Sequence, residues 1–96
     1  MWRSSAAYVT VVTVVMMCLK ERAEIVAEES NVDVQFDEHD RCTITIAVVM
    51  KFGAKVVSVC KNIQEEIVNE ISMMTPFAVK QVHLIVKKIV FEKNNA

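Results

Sequence analysis

The chain has 96 residues, 53% of them apolar and 24% charged, with 11 basic against 12 acidic side chains. That length sustains a single domain, residues 1–96, and the composition excludes a disordered or low-complexity chain. Balanced charge argues against a nucleic-acid partner, and the lone glycine, Gly53, leaves no phosphate-cradling loop and no nucleophile elbow.

Within that balance the charge is uneven. Residues 1–48 carry four basic and eight acidic side chains, and residues 49–96 carry seven and four. Two oppositely biased surfaces on one domain are expected, which would suit head-to-tail packing between copies.

At the N-terminus, residues 4–19 carry no charge and follow Arg3, as the hydrophobic part of a signal peptide would. No small-residue cleavage pattern follows, however. The mostly apolar stretch, residues 6–19, is also short of the roughly twenty residues a membrane span needs. The segment is therefore read as a strand running into a buried helix. Tyr8, Val9, Thr10, Val11 and Val12 are rich in β-branched residues and suit the strand, with Thr13 placed to cap the helix. Val15, Leu19, Ala23 and Val26 then recur at helical spacing over residues 14–29. Val-rich sequence fits both states, so the boundary between them stays open.

Val32 to Phe36 alternates apolar and polar residues, as a half-buried strand does. Asp37, Glu38, His39 and Asp40 read as the turn of a hairpin. In the return strand Cys42, Ile44, Ile46, Val48, Met50 and Phe52 point one way, and Thr43, Thr45, Ala47, Val49 and Lys51 point the other. Gly53 ends it. A strongly amphipathic helix over residues 54–73 presents Val56, Cys60, Ile63, Ile67, Ile71 and Met74, and Thr75-Pro76 stops it. The last strand, residues 79–91, places Val82, Leu84, Val86 and Val90 on one face. The predicted fold is α+β, a β-α-β-β-α-β two-layer sandwich with two helices on one face of a mostly antiparallel sheet.

The second half of this pattern resembles the alkaline-shock protein family. The residues that carry the resemblance are Phe52-Gly53 closing a strand, Ile63-Gln64 inside a helix, Met74-Thr75 at its end, and the alternating Val82, Leu84 and Val86. It covers about residues 23–91. Pro76 stands where the family usually has glycine after Met-Thr, and Asn31 where a glycine usually precedes the first hairpin strand. The resemblance implies a bacterial envelope or alkaline-stress protein without established catalysis. It also implies a cytoplasmic location, with membrane association through an anchored protein partner rather than a direct span.

Other constellations are weak. The acidic hairpin turn is the only cluster with metal-ligand chemistry, but four adjacent residues cannot all point inward, so neither metal nor cofactor is expected. Cys18, Cys42 and Cys60 lack C-x-x-C spacing and read as buried thiols in a reducing compartment. Lys87, Lys88 and Lys93 are too few and too spread for a lipid-binding cluster.

The more informative feature is the sheet face without helices, which carries Thr43, Thr45, Ala47 and Val49 from one strand and His83, Ile85, Ile89 and Phe91 from another. It is more apolar than a solvated face should be. Val49, His83, Ile85, Ile89 and Phe91 are the expected interaction surface, and the protein is expected to be a non-enzymatic, self-associating scaffold. The alternative is a small-ligand-binding regulatory domain with ferredoxin-like topology, which would gain thermal stability with some metabolite.

Overall fold

A computed structural model describes residues 4–91. Helix α1 spans Ser4–Lys20, strands β1 and β2 span Asn31–Phe36 and Arg41–Lys51, helix α2 spans Val56–Met74, and strand β3 spans Ala78–Val90. One turn of 3-10 helix, Ala27–Glu29, precedes β1. The three strands lie in the order β1-β2-β3, with β1 antiparallel and β3 parallel to the central strand. The architecture is α+β, and the sheet is mixed.

The core is built on β2. Cys42, Ile44, Ile46, Val48 and Met50 are each fully buried on the face turned to the helices. Burying a large apolar side chain contributes on the order of 1.5–3 kcal/mol, so this single row is a major share of the fold's stabilisation. Val11, Val14, Val15, Cys18 and Leu19 of α1 pack on it beside Val59, Ile63, Ile67 and Ile71 of α2. The β2–α2–β3 crossover makes the second pairing parallel, because a helical connection returns the chain to the same end of the sheet.

The strand expected at residues 8–12 is helical instead. The β-branched residues lose a few tenths of a kcal/mol each in a helix, whereas Ala7, Val11, Val14, Val15 and Leu19 gain burial only at helical spacing. Thr10 is accommodated by donating its hydroxyl to the Ala6 carbonyl, 2.8 Å away. The helix also ends earlier than expected, at Lys20. Beyond it the Val26 amide donates to the Val49 carbonyl and the Lys51 amide to the Glu24 carbonyl, each at 2.8 Å, so the sheet edge takes over this backbone.

Local chemistry sets the remaining boundaries. In the hairpin turn, Asp37 Oδ1 accepts from the His39 and Arg41 amides at 2.8 and 3.0 Å, and Arg41 Nε donates to Oδ2 at 2.8 Å. Asp40 supplies the left-handed residue at φ 60°. After β2, Gly53 turns at φ 95°, and Phe52 is 65% exposed rather than continuing the inward row. At the end of α2 the Thr75 hydroxyl donates to the Ile71 carbonyl and accepts from the Phe77 amide. Met74, expected on the buried stripe, is 53% exposed, while Val59 is buried.

Truncating Ile46 or Ile67 to alanine is expected to cost about 2–5 kcal/mol by urea denaturation, whereas Val9→Ala, at an exposed position, should change stability by no more than about 0.5 kcal/mol. The amides and guanidinium of the turn hold the Asp37 carboxyl down at about 2, against its usual 3.8. The ionised form therefore favours the fold above pH 4. That stabilisation should fade as pH falls from about 4 towards 2. Thermal melts of the wild type should show the loss, and Asp37→Asn should flatten it.

Candidate functional site

Strand β3 positions most of the residues expected at the uncovered face, and its register decides where each one goes. The pairing with β2 steps over Lys80, between Val79 and Gln81, and over Lys87, between Val86 and Lys88. These are bulges, and each advances the strand by one residue against its partner. Between them His83 pairs with Thr45 and Ile85 with Ala47, on the face turned away from the helices. Both are exposed, Ile85 to 52%.

The second bulge changes the rest. Ile89 comes level with Met50 and Val90 with Lys51, so Ile89 leaves the face that holds Ile85. Phe91 lies just beyond the strand, where its ring stacks on that of Phe52 at 4.5 Å between centroids. The five expected residues therefore do not form one patch. His83 and Ile85 share the outer face, while Ile89 and Phe91 belong to the end of the sheet beside the Gly53 turn.

Val49 is on the outer side of β2 yet only 1% exposed. Its amide donates to Ser30 Oγ at 3.2 Å and its carbonyl accepts from Val26, so both ends of the 3-10 turn close over it. From the other flank the Lys87 ammonium donates to Asn31 Oδ1 at 2.6 Å, and the Lys88 ammonium lies 3.8 Å from Glu29 Oε1. Lys87 and Lys88 are on β3, and Asn31 and Glu29 are on the β1 side. Both aliphatic stems must therefore cross β2 at the level of Ala47 and Val49, and they shield apolar surface as long basic side chains do. What remains uncovered is the region around Thr43, Thr45, Gln81, His83 and Ile85.

On the helical side, Gln64 donates its amide to the Val82 carbonyl at 3.0 Å and ties α2 to β3. An open recess of about 570 Å³ between the helices is acidic, with Glu21, Glu65, Glu66 and Glu70 around Arg22. The guanidinium is already paired to Glu66 at 3.2 Å. No nucleophile lines it. Burial, reinforced by Glu66, Glu70 and Glu21, pushes the Cys18 thiol up to about 11, and burial also raises Cys42 and Cys60. All three cysteines are unpaired thiols, protonated at neutral pH, which removes the thiolate that cysteine chemistry requires. Among the described residues no group of three or more His, Cys, Asp or Glu side chains could hold a metal ion. Nor is any described helix long and apolar enough to cross a membrane. Lys93 lies outside the described residues.

Sequence reasoning missed the lysine crossings, the Ser30 contact and the Phe52–Phe91 stack. One signal was available: Val79 and Val82 are three residues apart, and Lys87-Lys88 interrupts the alternation, as bulges do. Val49→Glu should therefore cost about 3 kcal/mol of stability, because it buries a charge. Ile85→Glu should stay within about 1 kcal/mol. Urea denaturation of the two variants measures the difference.

Comparison with known proteins finds that the profile of the alkaline-shock protein 23 family, described by its cell envelope-related function, matches residues 8–91. No curated protein and no solved structure matches the chain at a significant level. Seen with the helix-covered sheet, the Phe52-Gly53 turn and the Gln64 tie, the match over most of the sequence establishes that this chain belongs to the alkaline-shock protein 23 family, whose function is related to the cell envelope.

Proposed function

We propose that the protein is a non-catalytic interaction module of the cytoplasmic side of the envelope, which self-associates and serves there as a scaffold, held to the membrane through an anchored protein partner. The observation that carries this reading is the uncovered part of the outer sheet face, where Ile85 is 52% exposed beside His83. An exposed β-branched residue on a strand at the edge of the sheet is suited to docking against protein. The chemistry of the interior supports the same reading: the thiols are protonated, and the recess between the helices holds carboxylates around a paired guanidinium.

Size-exclusion chromatography with light scattering over a concentration series tests the proposal. The wild type should exceed the monomer mass as concentration rises. Ile85→Glu should remain monomeric with its thermal transition preserved. A wild type that stays monomeric at every concentration would overturn self-association.

A further inference from the structure

Resting on the reading of the protein as a scaffold held by an anchored partner, we propose that this partner docks on the outward face of α1, through a helical segment that is apolar along one side and basic at one end. Ala6, Val9, Thr10, Thr13 and Met17 are exposed along α1, opposite the buried Val11, Val15 and Cys18. No charged residue falls among residues 4–19. The Thr10 hydroxyl is already donated to the Ala6 carbonyl at 2.8 Å, so covering this face leaves that donor satisfied. α2 shows what a solvated helix presents instead: its outward positions are Ser58, Lys61, Glu65, Asn69 and Ser72.

Shape and charge select the occupant. α1 has 17 residues, about 25 Å at 1.5 Å per residue, and its face is a ridge that another helix can pack along. Lys20 follows Ala6 and Thr13 at seven-residue intervals, so the line of exposed residues runs to the C-terminal end of the helix. There the recess between the helices opens, where Arg22 reaches across to Glu66 in the middle of α2. Glu21, Glu65 and Glu70 also line it, and among the described residues none of the three is in an ion pair. Beyond the effect of burial, Glu66, Glu70 and Glu21 each raise the Cys18 thiol more than Arg22 lowers it, so the field at this end is negative in sum.

An uncharged strip that ends in carboxylates is complementary to a helix with an apolar stripe and lysine or arginine at its end. The cytoplasmic flanks of membrane anchors are enriched in Lys and Arg, which gives an anchored partner the basic end that this surface takes. The site is on the opposite layer from Ile85, so docking there leaves the outer sheet face free for self-association.

Fluorescence anisotropy tests the site with a labelled synthetic helix of about eighteen residues, with leucine and alanine along one side and lysines in its last turn. The wild type should bind this helix, more weakly as salt rises. It should bind the same helix ending in glutamates about tenfold less tightly. Thr13→Glu, at an exposed position, should weaken binding of the lysine helix about tenfold with its thermal melt preserved. Val9→Glu repeats the test should that variant fail to melt as the wild type does. Glu65→Lys combined with Glu70→Lys should reverse the preference between the two helices. No binding, binding unchanged by Thr13→Glu and Val9→Glu, or a preference that does not reverse would overturn the docking site while leaving self-association standing. A wild type that is monomeric by light scattering yet binds the lysine helix would overturn self-association and leave the site standing. Co-sedimentation of the wild type, but not of Thr13→Glu, with phosphatidylcholine vesicles would assign the face to lipid, and a fall in oligomer mass on Thr13→Glu would assign it to a second copy. Either result would overturn the partner helix.

Discussion

The inward row of β2 is the constraint on which the rest of this structure depends. Five alternate residues, Cys42 to Met50, are fully buried on one face, so something must cover that face along its whole length. α1 lies towards β1 and α2 towards β3, and the apolar stripes of the two helices meet over the central strand. Two helices side by side, at roughly 10 Å each, are wide enough to cover the three described strands at about 4.8 Å apart. The order of the strands follows too: a hairpin supplies the first neighbour, and a helical crossover supplies the second in parallel.

The other face of β2 obeys a different rule. Among the described residues no layer covers it, yet it is not uniformly solvated. At one end the 3-10 turn and the stems of Lys87 and Lys88 close over Ala47 and Val49. At the other, short polar side chains surround His83 and Ile85. The division arises from the bulge at Lys87, which turns two consecutive lysines towards the same side and moves Ile89 away from it. A single extra residue in an edge strand thus decides how much of the face stays open to solvent.

The chain is a member of an envelope-related family. Cys18 and Cys42 are buried, Arg22 is paired to Glu66, and β1 and β3 form the two edges of the sheet. Lysines stand at both bulges of β3, and charged side chains on an edge strand restrain its pairing with a further strand.

Much of this was legible in the sequence. The alternation from Cys42 to Ile46 marks a half-buried strand, and the spacing of Ile63, Ile67 and Ile71 marks an amphipathic helix. Thr75-Pro76 and Gly53 fixed their ends by local backbone chemistry, and the residues around Gln64 identified the family. The N-terminal segment was ambiguous because its valines satisfy both periodicities, and only packing against β2 made it a helix. Its early end at Lys20 came from hydrogen bonds to a strand edge some thirty residues away in sequence. The candidate surface was legible in part: His83 and Ile85 follow from alternation, but Val49, Ile89 and Phe91 do not. Sequence by itself determined which residues alternate and which recur. Register, bulges and long side chains reaching across a neighbouring strand decided which of them face solvent, because these depend on contacts between segments far apart in the chain.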